Sequence, residues 1–133
     1  MNNDTSNGPI LFPFKRDRSF LLMAGPCVVE NRDVVFETAT VLKSISDKLD
    51  IPLIFKSSYR KANRTRSDSF KGIGDRKALE ILADVRSRFG IPVITDVHES
   101  SEVEMAAEYV DVIQIPAFLC RQTDLIQAAA RTG

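Results

Sequence analysis

The sequence predicts an α/β fold made of parallel strand–helix units, and three observations point to it. Short apolar runs alternate with stretches of helical periodicity, giving strand–helix four times over. The strand runs are apolar on both faces, the pattern of a parallel sheet covered by helices through right-handed crossovers. The unit also repeats: Ile51-Pro52-Leu53-Ile54 and Ile91-Pro92-Val93-Ile94 open two strands in the same way. Two closures satisfy this order, a doubly wound sheet or part of an eight-fold barrel. No Gly-x-Gly-x-x-Gly follows the first strand, which counts against a dinucleotide fold.

In chain order, residues 1–19 read as an amino-terminal extension. Residues 1–9 are polar and frayed, and 10–14, broken by Pro13, form a short edge strand or a plug under the core. Residues 20–133 read as one domain. Phe20-Leu21-Leu22-Met23-Ala24 is the first buried strand and ends at Gly25-Pro26. A helix over 31–49 follows, with Val35, Ala39, Leu42, Ile45 and Leu49 on its apolar stripe. The second strand ends at Lys56. The second helix is capped by Asp75, carries Leu79, Leu82, Val85 and Phe89 inward, and stops at Gly90. The third strand, 93–96, leads to a helix over 100–108 with Val103, Ala106 and Ala107 inward. A fourth strand, 110–115, stops at Pro116, and a last helix over 121–131 buries Leu125, Ala128 and Ala129.

Composition narrows the function classes. The 133 residues are 44% hydrophobic and 27% charged, as in a globular domain with a real core. Eighteen basic residues balance eighteen acidic ones, so no global charge advertises nucleic acid. No apolar run is long enough to cross a membrane, and Met1 to Ser6 lacks the apolar core of a signal peptide. Two cysteines make no disulfide framework, which suits a reducing cytoplasm.

Ligands of parallel α/β folds gather where strands end. Those exits read Gly25-Pro26-Cys27, Lys56 with Lys61-Ala62-Asn63-Arg64, Asp96-Val97-His98-Glu99, and Gln114 with Pro116-Ala117-Phe118. Lys56, Arg60, Lys61, Arg64 and Arg66 crowd the second exit before the next acid, Asp68. Fixed cations after a buried strand suit phosphate or carboxylate, or else form a basic surface loop. Cys27 and Cys120, each taken alone, read as small buried hydrophobes rather than as ligands. With no HxxxH, HxH or CxxC spacing, the residues alone make no complete metal site. The single His98 has no nucleophile elbow to serve.

Taken together, Ala24-Gly25-Pro26-Cys27-Val28-Val29-Glu30, Phe55-Lys56-Ser57-Ser58 with Lys61-Ala62-Asn63-Arg64, Ile94-Thr95-Asp96-Val97-His98-Glu99 and the run from Asp111 to Leu125 are similar to the 3-deoxy-D-manno-octulosonate 8-phosphate synthases. These enzymes are also called 2-dehydro-3-deoxyphosphooctonate aldolases. The resemblance runs from Phe20 to Gly133. It implies the amino-terminal half of a TIM (β/α)8 barrel, so that 20–133 form a partial barrel synthase domain. It also implies condensation of phosphoenolpyruvate with D-arabinose 5-phosphate and water, releasing phosphate, for lipopolysaccharide biosynthesis.

The resemblance assigns Lys56 and Lys61 to the phosphoenolpyruvate anion and Asn63 to the pentose hydroxyls, with Arg64 and Thr65 near the pentose phosphate. It places Asp96, with Asn63, in the polar network around the reacting carbons. Gln114, Pro116 and Ala117 line the phosphoenolpyruvate pocket. Arg121 reaches the pentose phosphate of a neighbouring subunit, because the family is tetrameric. Cys27 falls where the metal-dependent class has Cys and the metal-independent class has Asn, implying a Zn, Fe or Mn ion whose other ligands lie in the second half of the barrel. The resemblance therefore implies a fragment that is inactive alone. The nearest rival, 3-deoxy-D-arabino-heptulosonate 7-phosphate synthase, has Lys-Pro-Arg-Thr where this chain has Lys61-Ala62-Asn63-Arg64. A third reading is a non-catalytic half-barrel.

Overall fold

The structure is a computed structural model that describes residues 20–61 and 73–133. The extension at 1–19, together with Asn63, Arg64 and Thr65, lies outside the described residues. The elements are β1 (Leu22–Ala24), α1 (Arg32–Leu49), β2 (Leu53–Lys56), α2 (Asp75–Phe89), β3 (Val93–Asp96), α3 (Val103–Ala107), β4 (Val112–Gln114) and α4 (Thr123–Ala130), with single 3-10 turns at Ser100–Glu102 and Ala117–Leu119.

All three strand pairings are parallel, and the sheet order is β1-β2-β3-β4. Chain order and spatial order coincide. A doubly wound sheet reverses direction at a switch point, so this arrangement is that of consecutive strands in a barrel wall. The four strand–helix units are therefore those of a half-barrel. No helix among the described residues is long and apolar enough to cross a membrane.

Strand pleating sorts the side chains onto two faces. Leu53, Phe55, Val93 and Val97 turn toward the helices, where they join Val35, Ala39, Leu79, Leu82, Val85, Val103 and Ala106 in one buried cluster. The alternate positions, Met23, Ile54, Lys56, Ile94, Asp96, Val112 and Gln114, share the opposite face. Along β2, β3 and β4 this face turns from apolar to polar. That gradient places the chemistry at the exits.

The helix ends follow local rules, with two corrections. Asn31 caps α1 through its Oδ1, which accepts from the Val34 N–H at 2.9 Å. Asp50 stops α1 in the left-handed region at φ 52°, which Asp tolerates better than most side chains. The buried stripe of α1 is Val35, Ala39 and Ser46, with Leu42 half-buried. Ile45 and Leu49, expected inward, are exposed at 42% and 58%. The sheet-facing spacing runs 35, 39, 42, 46, so residue 45 is rotated by about a quarter turn away from it. Ser46 takes the inward place because its hydroxyl donates to the Ile51 carbonyl at 2.6 Å.

The second correction concerns α2. Gly74 occupies its N-cap position with no side-chain cap, and Asp75 is the first helical residue. The Asp75 carboxylate is engaged instead by Arg60. Leu79, Leu82 and Val85 are buried as expected, while Phe89 is half-buried and meets Phe36 of α1 at 5.8 Å between ring centroids. Three smaller differences complete the comparison. β1 begins at Leu22, leaving Phe20 56% exposed, β4 covers only Val112–Gln114, and the third helix starts as a 3-10 turn.

Candidate active site

The sheet brings three of the expected residues together. Lys56, Asp96 and Gln114 are the last residues of β2, β3 and β4 and lie on the same face. Asp96 and Gln114 are register partners, and Lys56 pairs with Ile94, two residues before Asp96. Cys27 follows β1 on the same rim. Its carbonyl accepts from the Ser58 N–H at 3.3 Å, and a Val28–Ser58 bridge continues the pairing beyond the strands.

Gly25 explains how β1 and β2 approach so closely here. A Cβ at this position would sit 1.9 Å from the Lys56 carbonyl oxygen and 2.8 Å from its carbon. Only glycine admits that contact without moving backbone. The Gly-Pro-Cys exit is therefore a packing requirement as well as a motif.

At the β3 exit the Asp96 Oδ2 and the His98 Nε2 are 3.1 Å apart, with both side chains largely buried. The His98 ring stacks on Phe118 at 6.4 Å between centroids, with 27° between planes. Asp96 Oδ1, His98 Nδ1 and Gln114 Oε1 are buried and have no hydrogen-bond partner among the described residues. Buried polar atoms left unpaired are costly, so this rim is poised for donors supplied by a ligand. Two of the three are obligate acceptors, which suits a hydroxyl-bearing molecule. Lys56 adds the positive charge.

The remaining expected residues occupy the surrounding loop ends. Pro116 is buried, and Ala117 opens the 3-10 turn whose Leu119 N–H donates to the Pro116 carbonyl at 2.9 Å. Arg121 is exposed, just before α4. Lys61 is half-buried at the last described position before residue 62. Cys27 and Cys120 are both exposed, contrary to the reading of a lone cysteine as a small buried hydrophobe. Among the described residues no group of three or more His, Cys, Asp or Glu converges as a metal ion would need. Cys27 provides one thiol, so these residues by themselves do not assemble a metal centre.

Sequence reasoning missed a second cluster beneath the rim. Arg60, read there as one more cation of the anion-binding run, is tied up by acids. Its Nε donates to Asp75 Oδ1 at 3.1 Å, its Nη2 to Asp75 Oδ2 at 2.5 Å, and its Nη2 lies 2.6 Å from Glu102 Oε1. These bonds, to Asp75 above all, hold the guanidinium more firmly protonated than usual. The buried Tyr59 donates its hydroxyl to Glu102 Oε2 at 2.6 Å. Burial first, and then that carboxylate, push the phenol well above its ordinary range. No local spacing announces these partners, because Glu102 lies more than forty positions from Tyr59.

A concavity of about 750 Å³ lies elsewhere, between the start of α3 and α4. Its walls carry three acids, Glu104, Glu108 and Asp124, against one base, Arg131, a balance that opposes an anionic ligand. The strand exits, with Lys56, suit one better.

Comparison with known proteins agrees with this geometry. The pattern described as the DAHP synthetase I family matches residues 14–133. A 2-dehydro-3-deoxyphosphooctonate aldolase of Aromatoleum aromaticum is 57% identical over 117 residues, covering 88% of this chain and 42% of that protein. A protein of the same name from Bordetella petrii is 54% identical over 119 residues, 90% of this chain and 42% of its own length. Another, from Nitrobacter winogradskyi, is 48% identical over 137 residues, covering all of this chain and 48% of the relative. The chain thus spans less than half the length of the curated relatives it matches.

Proposed function

The chain belongs to the DAHP synthetase I family, and on that premise we propose that it supplies half of the active site of a 3-deoxy-D-manno-octulosonate 8-phosphate synthase. Phosphoenolpyruvate, D-arabinose 5-phosphate and water would be condensed to the eight-carbon sugar phosphate with release of inorganic phosphate. The observation that carries the reading is the shared face of Lys56, Asp96 and Gln114, with three buried polar atoms at this rim that have no partner among the described residues. Identity of 48–57% to aldolases of that name supports it. It also favours the pentose phosphate over the shorter acceptor of the heptulosonate synthases.

In this reading Lys56 and Lys61 neutralise phosphoenolpyruvate, and Gln114, Pro116 and Ala117 line its pocket. Asn63 holds the pentose hydroxyls, Arg64 and Thr65 face its phosphate, and Asp96 orients the reacting carbons. Positive charge fixed on a rigid strand end binds the anion and stabilises charge developing during transfer without having to reorganise. Arg121 would serve the site of a neighbouring subunit in a cytoplasmic tetramer. Cys27 would be one ligand of a Zn, Fe or Mn ion.

The test is phosphate release from the two sugar-forming substrates, by this chain alone and with the carboxyl-terminal half of the Aromatoleum relative added. The chain alone is expected to be inactive and the mixture active. In the mixture, Lys61→Ala is expected to lower kcat/KM about a hundredfold or more. Faster turnover with erythrose 4-phosphate than with arabinose 5-phosphate would overturn the choice of acceptor. Full activity of Lys56→Ala and Lys61→Ala would overturn the site.

A further inference from the structure

Glu102 is a buried carboxylate, only 6% exposed, that none of the proposed chemistry uses. A charge so far from water persists only when donors surround it. Here the Tyr59 hydroxyl approaches at 2.6 Å, the His98 backbone N–H at 3.2 Å and the Arg60 guanidinium at 2.6 Å. Those donors come from two different strand exits. Tyr59 and Arg60 follow β2, and His98 follows β3.

Backbone pairing fixes the exits only so far. It holds Ser58 to Cys27 and Val29 on one side, and the Val97 N–H to the Gln114 carbonyl at 3.2 Å on the other. The Tyr59 N–H still reaches Thr95 Oγ1, at 3.3 Å. Past these points the two segments are joined through the Glu102 carboxylate. One of its oxygens takes the Tyr59 hydroxyl and the His98 amide, and the other takes Arg60. The His98 amide that Glu102 accepts from belongs to the residue whose imidazole lies against Asp96 and Phe118. Arg60, held by Glu102 and Asp75, directly precedes Lys61.

We propose that Glu102 is a positioning residue that locks the β2 and β3 exits together and so sets the course of the chain at Lys61 after β2 and the place of His98 beside Asp96. Its effect on substrate rests on the rim being the anion site proposed above, whereas its effect on geometry does not. Glutamine is an informative replacement. Its one oxygen can still accept from Tyr59 and His98, but its amide nitrogen presents donors to a guanidinium that cannot accept. It thereby separates the two arms of the lock.

The experiment uses the 133-residue chain with Glu102→Ala and Glu102→Gln, read by NMR and circular dichroism. His98 is the chain's single histidine, so its ring signals are unambiguous. In Glu102→Ala the helical signal is expected to persist, the His98–Phe118 ring contact to disappear, and exchange of the His98 amide to accelerate by about tenfold or more. Glu102→Gln is expected to restore the His98 contact and amide protection. The Kd for phosphoenolpyruvate is expected to rise about tenfold in both variants, the size of one misplaced charge-assisted contact. If the alanine variant does not fold, the glutamine variant carries the test through its weakened binding with His98 in place. An intact His98–Phe118 contact and wild-type amide protection in a folded Glu102→Ala chain would overturn the proposal, as would unchanged binding in both variants. Failure of the unsubstituted chain to bind phosphoenolpyruvate would count against the rim as the anion site, and the His98 measurements would then decide Glu102 alone.

Discussion

The inner and outer strands of this sheet have similar lengths and different surroundings. In β2 and β3 the first three residues are buried and only the fourth, Lys56 or Asp96, reaches intermediate exposure. No residue of β1 or β4 is fully buried, and Met23 is 52% exposed. The inner pair has a strand on each side and α1 and α2 packed over it, while among the described residues β1 and β4 each have one strand neighbour. The rim draws on both pairs. Lys56 and Asp96 stand on the inner strands, and Cys27 and Gln114 follow or end the outer ones.

That contrast sets an order of expected effects. The largest belongs to Phe55→Ala, which empties the middle of the helix-facing core. It should cost about 3–5 kcal/mol in urea unfolding, against under about 1 kcal/mol for Met23→Ala on the same sheet. Equal losses would mean that the outer strands are as tightly packed as the inner ones. Next comes Gly25→Ala, where the added methyl meets the Lys56 backbone. Overpacking of this kind costs about 1–3 kcal/mol. It should also separate Cys27 from Ser58, visible as loss of protection at the Ser58 amide, while β3 amides stay protected. Retained protection at Ser58 would show that the β1 exit can shift without leaving β2.

Tyr59 gives a smaller effect that depends on pH. Its folded-state ionisation is pushed up, first by burial and then by Glu102. The resulting stabilisation is fully present below about pH 10, where a free phenol keeps its proton. Above that pH the unfolded chain ionises while the folded one does not, so stability falls by up to about 1.4 kcal/mol per pH unit from this group. Tyr59→Phe should lose about 1–2 kcal/mol at neutral pH, through Glu102's lost donor, and show a shallower decline above pH 10. Parallel curves for the two chains would remove Tyr59 from the alkaline transition. The smallest effect is expected from Ile45→Ser, within about 0.5 kcal/mol, because that side chain faces solvent despite its place in the apolar pattern. A loss near that of Phe55→Ala would return Ile45 to the core.

Much of the inner sheet could be read from the chain alone. β2 and β3 match their expected bounds because a continuous apolar run, opened by Ile-Pro and ended by a charged residue, has few other ways to be buried. The helix stops at Asp50 and Gly90 are local backbone events and were equally legible. Reading failed where a residue's partner is distant. Asp75 has the composition of a cap and serves as the partner of Arg60. Ile45 and Leu49 continue an apolar period whose edge turns away from the face that α1 packs on the sheet. Arg60 sits among cations that suit a ligand, yet acids from α2 and the turn before α3 claim it.

The sequence by itself determined the order of strands and helices, the alternation that puts Lys56, Asp96 and Gln114 on one face, and the family to which these motifs belong. Each of these follows from period, local backbone preference or residue type at a strand end, which are short-range properties of the chain. The resemblance to a barrel family also implied strands that neighbour one another in chain order, and the sheet has that order. Only the tertiary structure decided that Gly25 is required by the Lys56 carbonyl, and that Glu102 joins two exits from within the core. Those depend on which surfaces meet once the sheet has formed. A buried carboxylate acquires its meaning from donors that the folded chain brings to it from far along the sequence.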